Sequence, residues 1–151
     1  MQRSILSTDF IQPIKIYAAD DDADDMLFLK DAFDSINFPG QIETFSHGLT
    51  LWETITQHKS SIPDLFIIDL NMPFIKGFEL IERLNSLEQF HSIPKIVLST
   101  SNNIVDVKKS QKLNCLAYFQ KPASFLQFNQ LAVKIISEYN NYVNKKLNPY
   151  T

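Results

Sequence analysis

Between Pro63 and Pro73 the chain runs through four consecutive apolar residues, Leu65, Phe66, Ile67 and Ile68, and stops on Asp69. A continuous apolar run of that length, bounded by proline, predicts a short strand covered on both faces, because a strand with one wet face alternates. This limits the chain to folds in which a sheet lies between two other layers. A carboxylate where such a strand ends is costly to bury unless it stands at the rim of the sheet and faces a cleft. Asp also caps turns, so a single acidic strand end needs no further explanation.

Three further runs end on polar chemistry. Lys15, Ile16, Tyr17, Ala18 and Ala19 lead into Asp20, Asp21 and Asp22. Ile96, Val97 and Leu98 lead into Ser99, Thr100 and Ser101, and Leu116 to Gln120 lead into Lys121 and Pro122. Ile42, Thr44 and Phe45 alternate with polar residues, as a half-exposed edge strand does.

Helical spacing fills the intervals. Met26, Leu29, Phe33 and Ile36 form one face; Leu51, Trp52 and Ile55 form a second after Gly48; Leu80, Ile81, Leu84 and Leu87 form a third after Gly77. Asn102 to Asn114 is a poor amphipath, whose apolar residues are Ile104, Val105, Val107 and Leu113, and Asn114 suits a left-handed closing position. A long stripe through Phe125, Phe128, Leu131, Ile135 and Tyr139 closes the series.

Five strands alternating with five helices predict a three-layer α/β domain, (βα)5, with a parallel five-stranded sheet and right-handed crossovers. The edge-like second strand fits the flavodoxin-like order 2-1-3-4-5, which comes with this class of doubly wound sheet rather than from the residues themselves. In such a sheet the carboxyl ends of adjacent strands meet at one crevice, where these folds bind ligands. One site holding carboxylates, a hydroxyl and an ammonium is expected there.

With 151 residues, 44% of them hydrophobic, the chain suits one domain. We expect a lead-in at 1–12, the domain at 13–145 and a tail at 146–151. A net charge of -3 argues against nucleic acid as a partner, since phosphate binding needs a basic face. No apolar run reaches the roughly 18 residues of a membrane span, and the start lacks a signal-peptide pattern. A lone Cys115 fits a reducing compartment, so a cytoplasmic location is expected. His47, His58 and His91 have no ligand spacing and are read as surface or structural.

Five of the six residues from Asp20 to Asp25 are Asp. Asp22, Asp24 and Asp25 suit a helix start, where acids satisfy free amides and the macrodipole. Asp20 and Asp21, on the strand side, are left over. Carboxylates crowded at one crevice repel one another unless they share protons or bind a cation. All-oxygen ligands select a hard ion, Mg²⁺ (or Mn²⁺). Lys121 adds a point charge for a carboxylate or phosphate, and Ser99, or else Thr100, adds a hydroxyl donor. These are the parts of phosphoryl transfer: Asp69 is the nucleophile candidate, and Asp20 and Asp21 are the better metal ligands.

Taken together, Ala19 to Asp22, the run DLFIIDLNMP from Asp64 to Pro73 with Gly77, Ser99 and Thr100, and Tyr118 to Pro122 resemble the response-regulator receiver domain (CheY-like) of two-component signalling. The resemblance spans Ile14 to Asn144 and is weakly similar to the stand-alone, phytochrome-associated kind. It implies that Asp69 accepts a phosphoryl group from a sensor histidine kinase or phosphotransfer protein. It further implies that Asp21 ligates Mg²⁺ directly, Asp20 through water, and that Asp69 and the Asn71 backbone carbonyl complete the set. By the same resemblance Lys121 pairs with the phosphoryl group, Ser99 and Tyr118 act as switch residues, and the Lys121–Pro122 bond is cis. The fourth helix, fifth strand and fifth helix would form the output face.

Phe74, Ile75 and Lys76 depart from the Gly-containing, often acidic stretch usual before Gly77, and Ala23 stands where Pro is frequent. After the last helix only Lys145 to Thr151 remains, so the output is expected to be a contact of the receiver itself, with an unidentified downstream protein or a homodimer. An aspartate-nucleophile phosphatase of the haloacid dehalogenase type shares the Asp, Lys and hydroxyl logic. It usually carries a second Asp two places on to protonate the leaving group, where this chain has Asn71. The remaining alternative is a pseudo-receiver binding module that signals without phosphate.

Overall fold

The computed structural model describes residues 13–57 and 62–150. The expected lead-in and His58 lie outside them. The strands are β1 (Lys15–Ala19), β2 (Gln41–Phe45), β3 (Leu65–Ile68), β4 (Lys95–Ser99) and β5 (Ala117–Gln120). The helices are α1 (Ala23–Ser35), α2 (Gly48–Gln57), α3 (Gly77–Ser86), α4 (Glu88–His91), α5 (Ile104–Lys112) and α6 (Phe125–Leu147). All strand pairs are parallel and the order is β2-β1-β3-β4-β5, as expected.

The strict side-to-side alternation of a strand divides the core in two. Ile16, Ala18, Leu65, Ile67, Ile96 and Leu98 face a layer built from Met26, Leu29 and Phe33 of α1 and Phe128, Leu131 and Ile135 of α6. Tyr17, Ala19, Phe66, Ile68 and Val97 face the other way, against Leu51 and Ile55 of α2, Leu80, Ile81 and Leu84 of α3, and Phe90 of α4. The central strands β1, β3 and β4 are almost wholly buried, which is why they read as unbroken apolar runs.

Two features differ from the sequence reading. Leu87 does not extend the face of α3: it is extended (φ -104, ψ 127), and a separate turn, α4, follows, held by the buried Phe90. Beneath it Lys95, only 2% exposed, opens β4 and donates to the carbonyls of Phe90 at 2.7 Å and His91 at 3.2 Å. An ammonium is thus buried by capping the end of a helix, and burial pushes its pKa down to about 8.

The weak amphipath forms α5 with Asn103 as its cap and Asn114 in the left-handed region at φ 60. Ser110 is its one buried residue, while Ile104 and Val105 point outward. A helix that buries so little apolar surface opens more cheaply than its neighbours.

Candidate functional site

Parallel pairing brings the acidic strand ends together. Ala19 pairs with Ile68, and the Asp69 amide donates to the Ala19 carbonyl at 3.0 Å, so Asp20 and Asp69 leave the sheet side by side. On the other flank the Lys121 amide donates to the Ser99 carbonyl at 2.7 Å, which carries the lysine to the same rim. Gly77 closes the floor. Its amide donates to the Leu70 carbonyl at 3.0 Å, and a Cβ there would collide with the Asp69 carbonyl oxygen. A side chain is excluded because α3 starts directly against the backbone that carries the acid.

The Lys121 ammonium is shared among three carboxylates: Asp20 Oδ2 at 2.8 Å, Asp25 Oδ2 at 3.0 Å and Asp69 Oδ1 at 3.4 Å. Asp20 is 1% exposed; its Oδ1 accepts from the Asp22 amide at 2.9 Å, whereas no hydrogen-bond donor is aligned with Oδ2, although the lysine charge lies beside it. Burial, reinforced by the charge of Asp20, raises the Asp69 carboxyl to about 6 against the pull of Lys121. Asp20 is also raised, chiefly by burial. Burial alone would lower Lys121, but its bonds to Asp20 and Asp25 and the charge of Asp69 raise it.

Oxygen atoms of Asp20, Asp21 and Asp69 lie within 4.8 Å of one another. A buried carboxylate oxygen without an aligned donor, next to two further carboxylates, fits a hard divalent cation. The open cleft is lined by Asp21, Asp22, Ala23, Asp25, Asp69, Asn71, Thr100 and Lys121.

The other site residues are placed less simply. Ser99 is wholly buried and its Oγ accepts from the Ser101 amide at 3.2 Å, so in this conformation Thr100, not Ser99, lines the cleft. The Tyr118 hydroxyl donates to the Ser101 carbonyl at 2.5 Å, tying β5 to the loop after β4. The Lys121–Pro122 bond is not cis, contrary to the expectation; no cis bond occurs among the described residues. The two isomers of an X–Pro bond differ by only about 0.5–1 kcal/mol, so the dipeptide itself does not decide between them.

Asp25 is the residue that sequence reasoning passed over. It was accounted for by helix-start chemistry, and its amide does donate to the capping Asp22 Oδ1 at 3.1 Å. Its side chain nevertheless turns into the cleft. No signal in the sequence separates it from Asp24, the other acid of the same first turn.

Strand order, acidic rim and shared lysine together define a flavodoxin-like α/β domain of the CheY type. The chain belongs to the response regulator receiver domain family, whose model matches residues 16–135. It is a receiver domain of phosphorylation-based, two-component signalling. Among curated relatives, a probable methanogenesis regulatory protein, FilR2, of Methanothrix harundinacea (strain 6Ac) is 29% identical over 129 residues, covering 83% of this chain and 82% of that protein. Among solved structures, the phosphorylated cyanobacterial phytochrome response regulator RcpA superposes with a TM-score of 0.78 at 28% identity, covering 84% of this chain and 94% of that one. The Mn²⁺-bound form of response regulator Rcp1 gives 0.76 at 24% identity, covering 83% and 93%. No helix among the described residues is long and apolar enough to cross a membrane.

Proposed function

We propose that this receiver takes a phosphoryl group from the phosphohistidine of a sensor histidine kinase or phosphotransfer protein onto Asp69, and so switches a protein contact. The observation that carries the reading is the Lys121 ammonium held between Asp20 and Asp69 at the rim of the sheet. An Asp69 carboxylate oxygen forms the new P–O bond as the P–N bond breaks, and the electron pair leaves with the donor imidazole. With its pKa near 6, Asp69 is largely ionised at neutral pH, as a nucleophile must be. Lys121, already 3.4 Å from Asp69 Oδ1, is placed to pair with the transferred group.

Asp21 directly, Asp20 through water, Asp69 and the Asn71 backbone carbonyl would hold Mg²⁺ or Mn²⁺. When bound, that ion supplies positive charge to neutralise the phosphoryl oxygens. Ser99 has to leave its bond to the Ser101 amide to reach the phosphoryl group, and Tyr118 shares the same loop through the Ser101 carbonyl. Movement of Ser99 is thereby coupled to Tyr118 and to the start of α5, where Ile104 and Val105 are exposed. The output face in this reading is α5, β5 and α6.

The elements that supply the cleft also carry exposed apolar residues, Leu27 on α1, Phe74 in the loop after β3 and Phe125 and Leu126 at the start of α6, surface suited to a protein donor. The test is intact mass after incubation with acetyl phosphate or phosphoramidate, with Mg²⁺ and with EDTA. A phosphate-sized gain that needs Mg²⁺ and is absent in Asp69→Asn is expected. No gain under any condition would refute the acceptor reading and favour a phosphate-independent binding module.

A further inference from the structure

Of the carboxylates around Lys121, Asp25 is the one on a helix and outside the three-acid cluster that could hold a cation. Its side chain is 20% exposed, against 1% for Asp20 and 4% for Asp69, so it sits at the outer lip of the cleft. An ammonium has three N–H donors, and three carboxylates lie within 3.4 Å of this one. A cation entering between Asp20, Asp21 and Asp69 competes with that ammonium for Asp20 and Asp69. Lys121 is only 8% exposed, and expelling it unpaired would carry the cost of a buried, uncompensated charge.

We propose that Asp25 is a positioning residue that takes up Lys121 when the cation arrives. It keeps the lysine at the lip of the cleft while releasing Asp20 and Asp69. This rests on the phosphoacceptor reading only in that both concern the same site. Without Asp25 the ammonium keeps, of the carboxylates it pairs with among the described residues, Asp20 and Asp69, and opposes the ion. Asp25 thus acts on the metal through Lys121, which separates it from an acid that merely adds charge or supports α1. The helix keeps its own cap in any case, because Asp22 Oδ1 accepts from the residue 25 amide whatever the side chain.

The experiment is calorimetric titration of the full chain with Mg²⁺ alone, without a phosphoryl donor, for wild type, Asp25→Asn, Asp25→Glu, Lys121→Ala and the Lys121→Ala, Asp25→Asn double variant. Asp25→Asn should raise the dissociation constant about five-fold, the effect of roughly one partly exposed ion pair. Asp25→Glu should restore it to within about two-fold, since the longer acid keeps the partner. In the Lys121→Ala background the same Asp25→Asn change should move it less than about two-fold. A shift as large without Lys121 as with it would overturn the proposal, as would an unchanged constant in Asp25→Asn or no Mg²⁺ binding by wild type. Since no phosphoryl donor is present, a protein that shows this pattern yet gains no phosphate refutes the acceptor reading and leaves the role of Asp25 standing.

Discussion

Replacing Asp69 by Asn should stabilise the metal-free protein, and by an amount that depends on pH. The Asp69 carboxyl rises from 3.8 to about 6 on folding, chiefly because it is 4% exposed and faces Asp20. A carboxyl raised in the folded state binds protons more tightly there than in the unfolded chain. Its favourable contribution is complete below about pH 4 and is lost as pH rises through about 6. Two units correspond to about 3 kcal/mol, which the ionised wild type forgoes at pH 8 and a neutral isostere does not. In EDTA at pH 8, Asp69→Asn should therefore unfold at a urea concentration roughly 1–3 M higher than wild type, at a slope of roughly 1–3 kcal/mol per M.

At pH 4 the advantage should shrink to roughly 0.5 kcal/mol, because folded wild-type Asp69 is then protonated and the unfolded residue is close to half protonated. Saturating Mg²⁺ at pH 8 should cancel the advantage, since a ligand at about a hundred times its dissociation constant stabilises the wild type by about 2.7 kcal/mol. The assay is equilibrium urea unfolding followed by Trp52 fluorescence and far-ultraviolet circular dichroism. A gain of equal size at pH 4 and pH 8 would refute the reasoning, because it would not come from ionisation. So would the absence of any gain at pH 8.

Other perturbations follow from the same contacts. Lys121→Ala should lower the Mg²⁺ dissociation constant several-fold, because the ammonium and the ion balance the same acids; an unmoved titration midpoint would contradict this geometry. Gly77→Ala should cost about 1–3 kcal/mol and slow phosphoryl uptake, because the added Cβ meets the Asp69 carbonyl and lies 2.7 Å from Leu70 Cα; urea midpoint and intact-mass kinetics read the two effects. Phe74 holds a left-handed backbone at φ 67 with its ring exposed, edge-on to His47. Asn tolerates that conformation, so Phe74→Asn should gain about 1 kcal/mol in urea unfolding.

Much of this was legible in the chain. Buried strands such as Leu65 to Ile68 announce themselves because both faces must be apolar, and period-2 and period-3.6 patterns are local properties that need no knowledge of the partner. The strand order came with the class, whereas the meeting of Asp20, Asp69 and Lys121 at one rim follows from parallel pairing, which aligns carboxyl ends. Asn114 was legible because its left-handed closure is a one-residue preference.

What only the tertiary structure decided concerns which of several chemically equivalent groups meets a distant partner. Asp24 and Asp25 are alike in sequence, yet Asp25 reaches Lys121 at 3.0 Å, because the rotation of α1 over the sheet aims that position into the cleft. Ser99 and Thr100 are adjacent hydroxyls, and the exit of β4 buries the first and turns the second towards the acids. Lys95 opens β4 with a charge whose burial no local pattern indicates, and α4 places the Phe90 and His91 carbonyls over it. In each case the alternatives have the same local chemistry, and packing between segments far apart in the chain selects one. The sequence by itself determined the layers, the strands and the acidic rim; tertiary packing decided which side chains share the lysine.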